Sequence, residues 1–126
     1  MIDLTDKPID LRSIHEKLSA RDSGSIVLHA AVVKASVEDG RSRGIRFAPD
    51  GDMKGELENL ENSLREKWAV NDLLLVRRVG ELGIGDVISV VAASAPGRET
   101  AFGVCMDAVE RFKKMKRVRK TELLED

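Results

Sequence analysis

Met53, Leu57, Leu60, Leu64 and Trp68 follow one another at spacings of four, three, four and four, which places all five on one side of an α-helix. Glu56, Glu61, Arg65 and Glu66 fall on the opposite side. A helix with one apolar stripe and one charged face lies on a sheet rather than inside a bundle. Pro49-Asp50-Gly51 breaks the chain before it, and Asp52 is placed to cap its first turn. This stripe therefore demands a sheet, and the chain supplies strands on both sides of it.

Upstream, Ser25 to Val37 is rich in β-branched residues, and Asp39-Gly40 followed by the short run Gly44 to Phe47 suggests a hairpin. Downstream, Leu73 to Val79 is hydrophobic apart from Arg77-Arg78. Glycines at 80, 83 and 85 read as a tight bend, and Val87 to Ala93 as a further strand. Two more helices flank this core. Asp10 caps one containing Leu11, Ile14 and Leu18, stopped by Arg21-Asp22-Ser23-Gly24; the other runs from Arg98 to Met115 after the loop Ser94-Ala95-Pro96-Gly97, with Phe102, Cys105, Met106, Val109 and Phe112 as its expected core face. With 126 residues and no repeat or linker, the expectation is a single domain, 1–126, of α+β class: a mixed or antiparallel sheet with three main helices packed on it.

The 21 basic and 22 acidic residues nearly cancel, so the global field attracts neither nucleic acid nor an anionic membrane, and any anion site must be local. No apolar run approaches the ~20 residues of a membrane span, and the N-terminal residues lack the pattern of a signal peptide. One cysteine, Cys105, excludes an internal disulfide and suits a reducing cytoplasm. Cys105 and the isolated His15 and His29 form no metal-ligating constellation, so no metal and no resident cofactor is expected. Core or structural roles are the simpler reading of all three.

Charge is asymmetric in one place. Arg111, Lys113, Lys114, Lys116, Arg117, Arg119 and Lys120 crowd into ten positions. Taken alone, the run is a solvated helix terminus, where cations favour the negative end of the helix dipole. An RNA-binding surface is the weaker reading, because Phe112 is the run's single aromatic residue and the chain has no Tyr.

The segment Arg78-Val79-Gly80-Glu81-Leu82-Gly83-Ile84-Gly85-Asp86, then Ser94, Arg98, Ala101-Phe102, Cys105, Lys113, Lys120 and Glu122, resembles the large, catalytic subunit of molybdopterin synthase, the MoaE family. Ile9-Asp10, Gly24, Val33-Lys34, Gly40-Arg41 and Met53 follow the same order more loosely. The chain also departs from the family. Gly97 and Arg77 stand where the family has histidines, Lys34 where it has arginine and His29 where it has phenylalanine. Ala48 and Asp50 replace a glutamate and a tyrosine, and Arg117 and Arg119 a proline and a tryptophan.

The resemblance implies a MoaE-like fold of the α/β-hammerhead type and a sulfurtransferase reaction. Sulfur would pass from the C-terminal Gly-Gly thiocarboxylate of a small ubiquitin-like partner, MoaD-like, to cyclic pyranopterin monophosphate (precursor Z). It also implies a homodimer within a heterotetramer, with no part for nucleic acid or membrane. Lys120 is the implied catalytic residue, and Arg98, Lys34, Lys113 and Arg119 the implied substrate-binding ones. The residue types suit that chemistry. A phosphate calls for a guanidinium fork or ammonium groups, and Arg98 at a helix start adds backbone N–H donors. A lysine beside a thiocarboxylate stabilises the negative charge of a tetrahedral intermediate or moves a proton, and Arg117 and Arg119 would add positive charge around Lys120. The alternative is a catalytically degraded MoaE-like module that keeps the dimer and the small-subunit groove as a binding or scaffold surface.

Overall fold

The computed structural model describes residues 1–18, 22–37 and 40–124. Arg21 and Asp39, assigned above to a helix stop and a turn, lie outside them. The elements are β1 (Ile2–Thr5), α1 (Leu11–Glu16), β2 (Ser25–Val32), β3 (Ser36–Val37), β4 (Gly40–Pro49), α2 (Met53–Lys67), β5 (Asp72–Arg78), β6 (Gly80–Gly83), β7 (Val87–Ala95), α3 (Arg98–Lys113) and β8 (Val118–Leu124). The α+β class holds, but the strands divide into two sheets rather than one.

The first sheet has the order β1-β5-β7-β2. β1 runs parallel to β5 and the other pairs are antiparallel, so this sheet is mixed. Side chains alternate between its faces. Leu73, Leu75, Val91 and Ala93 meet Leu57, Leu60 and Leu64 of α2 and Val104, Ala108 and Phe112 of α3. Leu74, Val76, Val90 and Ala92 meet Ile14 and the following Leu18 on the other face. Because β5 is covered on both sides, its sequence is an unbroken apolar run rather than an alternation. The carboxylate of Asp52 accepts a hydrogen bond from the Gly55 N–H at 2.9 Å, a cap worth about 1 kcal/mol.

The second sheet is built around β4, which pairs antiparallel with β3, β6 and β8. Its core is Val33, Ile45, Phe47 and Leu82. Two of its strands run through segments expected to be irregular or helical. Gly80–Gly83 is not part of a tight bend: positive φ at Gly80 (103°) and Gly85 (86°) turns the chain at either side of β6. The basic run is not one helix terminus, since α3 ends at Lys113 and residues from Val118 onward form β8. The Glu56 carboxylate accepts from the backbone N–H groups of Lys116 and Arg117, both at 2.9 Å, and so fixes the turn between them. The strand expected to reach Val37 ends at Val32, where the register with β7 shifts.

The core face of α3 also differs from expectation. Ala101, Val104, Cys105, Ala108 and Phe112 are buried, whereas Phe102 and Met106 are 57% and 70% exposed. Small residues let the first turns of the helix settle close to the sheet, and Phe102 and Met106 lie outside. Among the described residues no helix is long and apolar enough to cross a membrane.

Candidate functional site

The Arg78 to Asp86 segment carries fold rather than chemistry. Arg78 Nη1 lies 3.6 Å from the Asp86 carboxylate, which also accepts from the Gly83 N–H at 2.9 Å. Leu82 between them is 1% exposed. The motif is a clip that closes the β6–β7 turn. Glu122 is structural in a similar way, accepting from Ser42 Oγ at 2.8 Å across β4 and β8.

Chemistry gathers where the two sheets meet the C-terminal end of α3. A cavity of about 560 Å³ there is lined by His29, Ala31 and Val32 of β2, Phe47 of β4, Arg77 of β5, Ile88 and Ser89 of β7, Val109, Phe112 and Lys113 of α3, then Met115, Val118 and Lys120. Strand geometry explains how Lys120 reaches it. In β8, Val118 and Lys120 are two residues apart and share a face, and Lys120 pairs across the ladder with Phe47. Arg119, between them, points to the opposite face, where its guanidinium lies 3.7 Å from Asp50. Arg117 and Arg119 would add charge around Lys120 only if they shared its pocket; neither lines the cavity, whose other cations are Lys113 and Arg77. Among the described residues no carboxylate lines it.

Arg77 is the residue that sequence reasoning passed over. It is 5% exposed, and its guanidinium carbon stands 5.5 Å from the centroid of the Phe47 ring and 5.3 Å from that of Phe112. Burial pushes its pKa down, while the charge of Glu56 acts the other way. The sequence signals were indirect: a charge within a largely apolar strand, at a position where the MoaE family has histidine. His29 was assigned a structural place, yet it is exposed and lines this cavity.

The remaining expected site residues lie elsewhere. Lys34 is exposed beyond the end of β2, and Arg98 is exposed at the first turn of α3, where Gly97 is the N-cap and offers no side-chain bond. Neither lines the cavity. Arg98, Phe102 and Met106 recur at four-residue spacing along one exposed stripe of α3. A second cavity, about 330 Å³, runs along this stripe between α3 and β2, and His29 and Val109 line both cavities. The Cys105 thiol faces inward, and burial raises its pKa to about 11, which makes it core rather than nucleophile.

Two sheets thus meet at a cavity lined by three cations and, among the described residues, by no carboxylate, an electrostatic setting that favours an anion. The chain belongs to the MoaE family, whose model, described as MoaE protein, matches residues 4–115. It is 27% identical over 125 residues to the molybdopterin synthase catalytic subunit of Bacillus subtilis, covering 98% of this chain and 80% of that one. The crystal structure of molybdopterin synthase from Staphylococcus aureus superposes with a TM-score of 0.90 at 24% identity, over 98% of this chain and 91% of that chain. A complex of subunits 1 and 2 of molybdopterin-converting factor from Helicobacter pylori gives a TM-score of 0.78 at 17% identity, over 98% and 85%.

Proposed function

We propose that this chain acts in the cytoplasm, as a single MoaE-like domain, as the sulfur-transferring large subunit of a molybdopterin synthase. Its donor is the C-terminal thiocarboxylate of a MoaD-like small subunit, and its acceptor is cyclic pyranopterin monophosphate. The observation that carries this reading is the cavity at the junction of the sheets, where Lys120 and Lys113 converge in a chain of this family. As the tail's sulfur bonds to a pterin carbon, the oxygen that carbon carried must leave; water must then attack the tail's acyl carbon and the acyl C–S bond must break. The sulfur stays on the pterin and the tail leaves as a carboxylate. Lys120 supplies positive charge for the oxyanion that forms in that step.

Arg98 and Lys34 do not join this cavity within one chain. The proposed homodimer gives Arg98 a place, because it shares the exposed stripe with Phe102 and Met106, whose apolar surface a second copy would cover. The stripe also borders the cavity through His29 and Val109.

The test is reconstitution with a thiocarboxylated small subunit and precursor Z. Molybdopterin should form, and form about 100-fold more slowly with Lys120→Ala. Product no greater than that control would sink the enzyme reading. Gly97, Lys34, Ala48 and Asp50, standing where the family has other polar groups, favour a second reading, a binding module; tight capture of the small subunit without turnover is its signature.

A further inference from the structure

β8 brings Lys120 to the cavity, yet its own sequence does not decide which residue faces there. Its apolar residues, Val118, Leu123 and Leu124, fall on both faces, so no clean alternation sets its register on β4, and strands of that kind are prone to slip. A slip of one residue exchanges the two faces. The ladder already holds both registers: Gly44 to Pro49 pair with Leu123 to Val118, whereas Ser42 pairs with Leu124, displaced by one residue. If the displaced register ran the length of β8, Arg119 would stand opposite Phe47, and Lys120 would stand opposite Arg46 on the outer face.

The near end of the strand is held by α2. Glu56 Oε2 accepts from the Lys116 N–H and Oε1 from the Arg117 N–H, both at 2.9 Å. The Asp50 N–H donates to the Arg117 carbonyl, also at 2.9 Å. One carboxylate thus grips two successive residues just ahead of β8, with charge-assisted bonds of narrow geometry. A slip moves each residue by ~3.3 Å along the strand, which breaks both bonds.

We propose that Glu56 is a positioning residue: it pins β8 in the register that turns Lys120, and not Arg119, into the cavity. The register stands on geometry alone, while its consequence for turnover rests on the function proposed above. An arginine in that place would present a planar fork on a longer stem instead of a compact ammonium, so its charge would meet the oxyanion elsewhere.

Disulfide trapping in the full chain reads the register, since residues directly opposite on paired strands lie within disulfide reach. Arg46→Cys with Thr121→Cys reports the observed pairing, and Arg46→Cys with Lys120→Cys the displaced one. Cys105 is buried and stays out of the exchange. With Glu56 intact, the first pair should oxidise in a glutathione buffer and the second should not. Glu56→Ala should raise trapping of the second pair by about tenfold or more, the scale of losing a hydrogen bond to a charged group. Glu56→Gln, which keeps one acceptor oxygen, should raise it less. In reconstituted turnover Glu56→Ala should lower kcat by about tenfold and change KM less, and oxidising the Arg46→Cys, Thr121→Cys pair in the same chain should restore kcat. Assays run below the melting temperature of each variant; if Glu56→Ala fails to fold, Glu56→Gln carries the comparison. Trapping of the displaced pair that does not rise in the Glu56 variants overturns the assignment, as does a fall in kcat that the native disulfide leaves uncorrected. Wild-type turnover with trapping indifferent to Glu56 defeats the assignment and leaves the enzyme reading standing; Glu56-dependent trapping without wild-type turnover does the reverse.

Discussion

Lys120 and Arg119 are neighbours in sequence and face opposite sides of β8, so their substitutions should separate. Lys120→Ala is expected to lower molybdopterin formation by about 100-fold, the usual scale for losing a proton-transfer or oxyanion-stabilising group, with the circular dichroism spectrum unchanged because the side chain is exposed. Arg119→Ala removes an exposed ion pair with Asp50 and should alter stability by about 0–1 kcal/mol, with turnover staying near wild type. Cys105 offers a test of burial. Its proton is held up to about pH 11 in the folded chain, against 9.0 for an ordinary thiol. The folded state thus keeps a proton that the unfolded chain releases, and this contribution to stability is complete below 9.0 and lost as pH rises toward 11. Iodoacetamide at pH 8 should label native Cys105 far more slowly than the urea-unfolded chain. At this scale the sequence was a partial guide. Lys120 and Lys113, singled out by their place in the matched segment, do line the cavity, and Arg77 lines it beside them although nothing in a row of residues tells which strand face will do so.

α2 was readable because its stripe is bulky and regular; α3 was placed correctly, with Cys105 and Phe112 inside, but Phe102 and Met106 of its expected core face were misassigned. Its buried stripe is largely small, with Ala101, Val104 and Ala108 each 0% exposed, and the larger Phe102 and Met106 drew the assignment outward. β6 and β8 were missed because one is bounded by glycines and the other is dense with charge, and both are held mainly by ladder hydrogen bonds to β4 rather than by an apolar pattern. The join between α2 and α3 is specific. A Cβ on Gly103 would come within 2.5 Å of the Trp68 ring. Gly103→Ala should therefore displace that ring and cost about 1–3 kcal/mol by overpacking, measured by urea unfolding. Trp68 Nε1 donates to Asp107 at 2.9 Å, Arg111 Nε donates to it at 3.0 Å, and Lys67 lies 3.2 Å away. Burial alone would raise the Asp107 pKa, but these three donors outweigh it and hold the pKa below 3.8. That contribution is present above 3.8 and is lost as pH falls through the lower, folded value. Asp107→Asn should flatten the acid side of the stability curve, followed through the fluorescence of Trp68, the chain's one tryptophan.

Over the whole molecule the formal charge is −1, yet the junction of the two sheets gathers three cations. A global balance of charge carries no information about such a concentration, which is why the composition excluded broad anionic partners and could not locate a small one. Assembly is the other property of this scale. Phe102→Asp combined with Met106→Asp should leave the fold intact, because both side chains are exposed, and shift sedimentation from dimer to monomer. A wild-type chain that sediments as a monomer at micromolar concentration would remove the homodimer from the proposal. The last strand residues of β5 bear on how such a protein can diverge. Arg77 reaches the cavity while Arg78, one residue on, reaches the clip with Asp86. Adjacent codons thus answer to different demands, one to the lining of a cavity and one to chain geometry. A lineage can revise the first without disturbing the second, so the effects of substitutions at 77 and 86 should add in a double-mutant cycle, and specificity can drift on a scaffold that stays still.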